Sequence, residues 1–72
     1  MSLMLLSSPG CHLCDQAEEI VDHVGVSFEV VDISLNVDLV RLYGVRIPVL
    51  KRGDGAELGW PFDVLDVERF TA

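Results

Sequence analysis

The stretch that decides the fold of this 72-residue chain is residues 3–14, Leu3-Met4-Leu5-Leu6-Ser7-Ser8-Pro9-Gly10-Cys11-His12-Leu13-Cys14. Its first four residues form an unbroken apolar run, which is typical of a strand buried on both faces. The Ser-Ser-Pro-Gly segment ends that strand, and a helical pattern begins at the two cysteines. Sulfurs at positions i and i+3 of a first helical turn lie close enough to form a disulfide. The stretch therefore predicts a central strand, a loop and a redox-active pair of thiols.

Cys11 is predicted to lie at the N-terminus of this helix. Unpaired amide groups and the helix dipole favour an anion there, so we expect the pKa of the Cys11 thiol to be lowered. Cys14 is predicted to face the core, and its pKa should stay higher. We therefore assign Cys11 as the nucleophile and Cys14 as the resolving cysteine. A structural role explains the pair poorly, because a bridge across so short a loop removes little entropy from the unfolded chain.

The next segment continues with a helix pattern and then a strand pattern. Apolar residues recur at helical spacing from Leu13 to Val24, and Gly25 fits the position just past a helix end. Residues 26–33 are rich in β-branched side chains and predict a strand. In this segment the apolar residues Val26, Phe28 and Val30 alternate with the polar residues Ser27 and Glu29. A strand, a helix and a strand with short links predict a parallel, right-handed crossover.

The second half predicts a short helix, a hairpin and a final helix. The short helix carries Leu35, Leu39 and Leu42, with Ser34 or Asn36 as its cap and Gly44 at its end. Residues 47–51 and 56–60 predict two strands that are joined by a turn over residues 52–55. The last helix is predicted to be capped by Asp63, with Asp66 at its third position and Phe62 packed on Val67. The whole chain, residues 1–72, reads as a single domain.

The charge of the chain limits its partners. Twelve acidic and five basic side chains give a net charge of −7. Such a surface repels nucleic acid and anionic membranes, so we expect partners that are neutral or basic. The start of the chain, Met1 to Leu6, lacks the pattern of a targeting or membrane segment, and we expect a cytoplasmic protein. In a reducing cytoplasm a C-x-x-C is more often catalytic or metal-binding than structural.

The predicted order β-α-β-α-β-β-α, with C-x-x-C in the first βα loop, resembles the glutaredoxin branch of the thioredoxin superfamily. The resemblance rests on Cys11 to Cys14, on the dipeptide Ile47-Pro48, and on Gly59 followed by Asp63. It implies an α/β, thioredoxin-like fold of the glutaredoxin type, with a four-stranded mixed sheet and helices on both faces.

The resemblance also implies roles for the matched residues. The peptide bond before Pro48 is expected to be cis, and the main chain of Ile47 is expected to pair with an extended peptide that carries a cysteine. Gly59 and Asp63 are expected to contact the γ-glutamyl end of glutathione. The family therefore implies action on protein disulfides or glutathione mixed disulfides, and a monomer is the default expectation for so compact a domain. Glutathione is then a possible co-substrate, and no tightly bound cofactor is expected.

Two residues inside the motif depart from the family pattern. His12 and Leu13 stand where the family usually has proline and tyrosine. A protonated imidazole at His12 would stabilise the Cys11 thiolate and make the disulfide more oxidising. His12 is therefore a candidate for tuning the thiolate. The carboxylates of Asp15 and Glu18 would act in the opposite direction and destabilise the thiolate.

The binding of glutathione is the second point of departure. The lysine that commonly precedes the motif in this family has no counterpart at Ser7 or Ser8. The carboxylates of glutathione need cationic or amide partners. Arg41 and Arg46 are alternatives for that role, or they are solvated surface charges.

Three functions follow from these observations. The first is a small thiol-disulfide oxidoreductase. The second is a non-catalytic, redox-responsive interaction module. The third, which the resemblance to cluster-binding glutaredoxins implies, is a glutathione-dependent carrier of an iron-sulfur cluster. A mononuclear metal site is not predicted, because one C-x-x-C with His12 and His23 supplies too few convergent ligands.

Overall fold

A computed structural model describes residues 2–72. Its elements are β1 (Leu3–Ser7), α1 (His12–Val24), β2 (Glu29–Asp32), a 3₁₀ turn (Ile33–Leu35), α2 (Val37–Tyr43), β3 (Val49–Arg52), β4 (Glu57–Gly59) and α3 (Val64–Thr71). Their order confirms the predicted β-α-β-α-β-β-α arrangement. Over this described range, no helix is long and apolar enough to cross a membrane.

The four strands form one mixed sheet in the order β2-β1-β3-β4. β1 pairs in parallel with β2 and antiparallel with β3, and β3 pairs antiparallel with β4. Leu5 of β1 lies between Val30 of β2 and Leu50 of β3, and it is fully buried. The apolar run at residues 3–6 is therefore the central strand that the sequence predicts.

Two apolar cores lie on opposite faces of this sheet. The first, which includes residues of α1 and α3, contains the buried side chains of Leu3, Leu5, Ala17, Val21, Leu50, Phe62 and Val67. The second, which includes residues of the 3₁₀ turn and α2, contains those of Leu6, Ile33, Tyr43 and Val49. Successive side chains of a strand point to opposite faces, so Leu5 and Leu6 contribute to different cores. Helices therefore cover both faces of the sheet, as the resemblance implies.

The second strand is shorter than the sequence predicts. It begins at Glu29 rather than at residue 26, and it ends at Asp32, where the carboxylate accepts the N–H of Ser34 and starts the 3₁₀ turn. Val26 and Phe28 still pack against the first core, but they do so from the preceding loop. Val30 is 47% exposed, because β2 is an outer strand of the sheet and solvent lies beside it.

The helix ends agree with the sequence patterns. Gly25 ends α1 with a φ of 86°, a left-handed conformation that glycine adopts without a steric cost. Asn36, rather than Ser34, caps α2 by accepting the N–H groups of Asp38 and Leu39. Asp63 and Asp66 form a capping box at the start of α3. These caps fix where each helix begins and ends.

A cluster of polar side chains ties α2 to the hairpin. We call it the Glu57 cluster, and it consists of Tyr43, Arg46, Lys51 and Glu57. The Tyr43 hydroxyl donates to Glu57 Oε2 at 2.5 Å, and Arg46 Nη2 donates to Glu57 Oε1 at 2.7 Å. Lys51 Nζ donates to the Tyr43 hydroxyl at 3.2 Å. Tyr43 is only 5% exposed, so its hydroxyl needs such partners.

The capping box gives a stability prediction. We expect Asp63→Ala to lower the free energy of unfolding by about 0.5–2 kcal/mol, because an N-cap acceptor is lost. Asp63→Asn should lower the free energy of unfolding much less, since asparagine is an equally good cap. Glu68→Ala is the matched control, at an exposed position of the same helix. Urea unfolding of the three variants measures the change in the free energy of unfolding. Equal decreases for Asp63→Ala and Glu68→Ala would contradict the prediction.

The Glu57 cluster gives a prediction about acid stability. The Tyr43 hydrogen bond, followed by that of Arg46, lowers the pKa of Glu57 below its ordinary value of 4.5. A lowered folded-state pKa contributes stability at pH values above the ordinary one, and this contribution is lost as the pH falls through the folded-state pKa. Glu57→Gln should therefore destabilise the protein near neutral pH, by about 1 kcal/mol or less for a partly exposed pair. The free energies of unfolding of both proteins should converge only at pH values below the lowered folded-state pKa of Glu57, and a difference that does not depend on pH would contradict the assignment.

Candidate functional site

The sulfur of Cys11 caps helix α1. Cys11 has extended backbone angles, φ −87° and ψ 104°, and its Sγ accepts the N–H of Cys14 at 3.2 Å. Its carbonyl oxygen accepts the N–H of Asp15, also at 3.2 Å. Serine, threonine, aspartate and asparagine are preferred at this position, where their side-chain oxygen accepts an otherwise unpaired N–H. The structure thus places Cys11 at the helix N-terminus, as predicted.

Cys11 and Cys14 are joined by a disulfide, with their Cα atoms 5.2 Å apart. Cys14 is only 3% exposed, because it shares the buried face of α1 with Ala17 and Val21. Cys11 is partly exposed. Gly10, with a φ of 79°, provides the left-handed turn that brings the chain from the loop into the cap. Of the two cysteines, Cys11 is therefore the more exposed to solvent.

The two residues between the cysteines are exposed. Leu13 is 45% exposed, and His12 has a solvent-facing side chain. Asp15, in the first turn of the helix, and Glu18 are also exposed. The structure shows no hydrogen bond between these side chains and the Cys11 sulfur within residues 2–72, and the tuning role of His12 stays a prediction.

Pro48 lies beside the loop that carries Cys11. Val49 pairs with Leu6, the penultimate residue of β1, so Pro48 comes next to the end of that strand. The Ile47–Pro48 peptide bond is cis, and Pro48 is fully buried. The Pro48 carbonyl accepts the N–H of Trp60 at 3.2 Å. The Ile47 N–H donates to the Tyr43 carbonyl at 3.0 Å.

Gly59 and Asp63 lie at the same end of the sheet. Gly59 pairs with Val49, and a side chain at this position would point into open space. The Asp63 carboxylate is exposed, but one of its oxygens already accepts the N–H of Asp66 in the capping box at 2.9 Å. The fold therefore brings all the predicted site residues to one end, which we call the dithiol end: Cys11, His12, Cys14, Ile47, Pro48, Gly59 and Asp63.

Sequence reasoning missed the Glu57 cluster, and with it the place of Arg46. Arg46 was predicted to be either solvated or a partner for glutathione, but its guanidinium forms an ion pair with Glu57 and lies over the Tyr43 ring at 5.1 Å. Glu57 is 11 residues from Arg46 and 14 from Tyr43. No local spacing rule connects residues so far apart, so only the pairing of the strands could have revealed the cluster. The cis bond between Trp60 and Pro61 was also not predicted.

No metal site was predicted from the sequence. Within residues 2–72, no three His, Cys, Asp or Glu side chains are grouped so that they could hold a metal ion. The two cysteines are engaged with each other in the disulfide. Chemically, this arrangement offers one accessible sulfur on a helix N-terminus and one buried sulfur bonded to it.

The chain matches the Glutaredoxin-like domain (DUF836) over residues 2–70. No curated protein matches it. The X-ray structure of target protein XcR50 from X. campestris has a TM-score of 0.91 and 38% identity, covering 97% of this chain and 95% of that one. The solution structure of XcR50 has a TM-score of 0.84 and 40% identity, covering 100% of this chain and 96% of that one.

A more distant structure has the same fold. The solution NMR structure of protein Ne2328 from Nitrosomonas europaea has a TM-score of 0.80 and 28% identity, covering 96% of this chain and 88% of that one. The family match extends over all seven helices and strands except the last residue of α3. It also includes the Cys11–Cys14 pair, a disulfide that fits a redox role. This chain therefore belongs to the glutaredoxin-like domain family.

Proposed function

We propose that this protein is a thiol-disulfide oxidoreductase that uses Cys11 and Cys14 as its dithiol-disulfide couple. The observation that carries the proposal is the hydrogen bond from the Cys14 N–H to the Cys11 sulfur at the start of α1. A thiolate accepts such a bond better than a thiol does, so the bond favours ionisation of Cys11. The thiolate is the nucleophile in disulfide exchange.

The reaction begins with the reduced protein. The Cys11 thiolate attacks one sulfur of a substrate disulfide, forms a mixed disulfide and releases the other substrate sulfur as a thiolate. Cys14 then loses its proton and attacks Cys11, which forms the Cys11–Cys14 disulfide and releases the second substrate sulfur. Two electrons pass to the substrate, and two protons end on its thiols. Burial of Cys14 supports this order, because a substrate disulfide reaches Cys11 first.

The substrate is proposed to lie along Ile47 and Pro48. The carbonyl of Ile47 would accept one N–H from an extended peptide, since the Ile47 N–H already donates to Tyr43. A main-chain contact of this kind favours protein or peptide disulfides over small molecules. The accessible space beside Gly59 leaves room for the residues that flank the substrate cysteine.

Glutathione is a weaker candidate for the substrate. The proposed contacts for its γ-glutamyl end are Gly59 and Asp63, and one oxygen of Asp63 already accepts an N–H in a helix cap. Arg46 is held by Glu57. We therefore propose protein disulfides as the main substrates and glutathione mixed disulfides as secondary ones, with the protein acting as a monomer in the reducing cytoplasm.

The roles of the two cysteines give a kinetic prediction. Cys11→Ser should abolish turnover with insulin and with a glutathione mixed disulfide, because no accessible nucleophile remains. Cys14→Ser should lose insulin reduction but keep a monothiol exchange with the glutathione disulfide. Equal residual activity in both variants would contradict the assignment. A wild-type protein with a reducible Cys11–Cys14 bond and no activity on either substrate would favour the interaction module.

The helix cap gives a prediction about ionisation. In the Cys14→Ser variant, which isolates Cys11, we expect alkylation by iodoacetamide to have a midpoint below the value of about 8.5 for a free cysteine. The reason is the N–H of residue 14, which a serine at this position retains. Alkylation rates measured across the pH range, together with the ultraviolet absorbance of the thiolate, give the midpoint. A midpoint at or above that of a free cysteine would exclude the proposed activation.

A further inference from the structure

Carboxylates lie around the dithiol end of the sheet. Asp15 is in the first turn after Cys11, and Asp32 ends β2 opposite Ser7, the last residue of β1. Asp63 and Asp66 start α3, which follows Gly59 after a short connection. Several of these carboxylates accept hydrogen bonds from N–H groups, but none of these four is joined to a basic side chain in an ion pair within the range 2–72.

The basic side chains lie elsewhere or are already paired. Lys51 and Arg52 pair with Met4 and Leu3, so they lie away from the end of β1 that leads to Cys11. Arg52 bonds to Asp54 and to the Phe70 carbonyl. The two remaining basic residues apart from Arg46 are Arg41, which lies 3.9 Å from Asp38, and Arg69, which is in the last turn of α3.

Arg46 is the basic residue that comes closest along the chain to the substrate-facing segment. It stands two residues before Pro48, and its main-chain N–H donates to Tyr43 like that of Ile47. Its guanidinium, however, turns to Glu57 on β4, at 2.7 Å from Oε1. Lys51 approaches the other oxygen of the same carboxylate at 4.0 Å. Glu57 therefore offsets the charge of Arg46, the cation whose segment leads into Pro48.

We propose that Glu57 is a specificity-determining residue, which holds Arg46 in an ion pair and so leaves the dithiol end with a negative potential. The site then takes disulfides whose cysteines have neutral or cationic neighbours, and it discriminates against anionic disulfides such as that of glutathione. This inference rests on the proposed oxidoreductase function and narrows its substrates to basic or neutral protein segments. Opposite charges raise the rate of encounter, and like charges lower it.

Three small disulfides of similar size but different charge test the proposal. They are cystamine, which is a dication, bis(hydroxyethyl) disulfide, which is neutral, and dithiodipropionate, which is a dianion. Each oxidises the reduced protein in a single turnover, so no further reductant is needed. The loss of protein thiols is followed by acid quench and mass spectrometry at about pH 8, where an ordinary imidazole is uncharged. Each rate is divided by the rate of the same disulfide with dithiothreitol, which removes differences in intrinsic reactivity.

For the wild-type protein we expect the normalised rates to fall in the order cation, neutral, anion. Added salt should slow the reaction of cystamine and speed that of dithiodipropionate, because ions screen the interaction. In Glu57→Gln, the ratio of the cystamine rate to the dithiodipropionate rate should fall by about threefold to tenfold at low ionic strength. The double variant Glu57→Gln, Arg46→Gln should recover most of the wild-type ratio.

Two variants serve as controls. Asp54→Asn removes one negative charge from the exposed ion pair with Arg52 and gives the same net charge as Glu57→Gln. Its ratio should stay within about twofold of the wild-type value, because Asp54 lies in the turn after Arg52, at the other end of the sheet from Cys11, and screening weakens its effect there. Tyr43→Phe removes the hydroxyl of the Glu57 cluster but keeps the charges of Arg46 and Glu57, so it should leave the rate ratio unchanged.

Three results would overturn the specificity proposal. The first is a wild-type protein that reacts fastest with the anion, and the second is an equal effect of Glu57→Gln and Asp54→Asn. The third is a change in the rate ratio of Tyr43→Phe as large as that of Glu57→Gln. Such a result would mean that the segment carrying Arg46 had moved, rather than that the charge had changed. Failure of the proposed function has a different signature. In that case Cys11 would react with none of the three disulfides faster than a free cysteine does.

Discussion

The hydrogen bond from the Cys14 N–H to the Cys11 sulfur is the interaction on which the site depends. It requires that the chain enter α1 in an extended conformation at Cys11, and Gly10 makes that entry possible. It also requires that the start of α1 be fixed relative to the sheet. Ala17 and Val21 provide this, since they are completely buried against the central strand and α3. Buried residues of α1 thus fix the position of the Cys11 sulfur relative to the sheet.

The order of the strands brings the remaining parts of the site to that atom. β1 and β2 are parallel, so their carboxyl ends lie together, and β3 runs the other way and begins where β1 ends. Pro48 precedes β3 and Gly59 ends β4, so the hairpin returns the chain to the dithiol end a second time. Residues that are widely separated in the sequence become neighbours through the topology alone, without any long loop.

Much of this could be predicted from the sequence, because the signals are local. The apolar run at residues 3–6, the helical spacing that ends at Gly25 and the capping box at Asp63 each report on adjacent residues. The parts that escaped prediction depend on which strand is outermost or on contacts between distant segments. Val30 reads as a buried strand residue, and only its place in an outer strand exposes it. Arg46 reads as a free cation, and only the register of β4 gives it Glu57 as a partner.

The cap at Cys11 couples the stability of α1 to the redox state of the protein. A thiolate accepts the Cys14 N–H in a charge-assisted hydrogen bond, whereas a sulfur in a disulfide is a weak acceptor. The helix N-terminus is therefore better satisfied in the reduced, ionised state than in the oxidised one. By linkage, the same free energy eases ionisation of Cys11, stabilises the reduced fold and makes the disulfide a stronger oxidant. Negative charge around the dithiol end opposes all three effects. The carboxylates that we propose to select cationic substrates would thus also limit how far the helix can favour the thiolate.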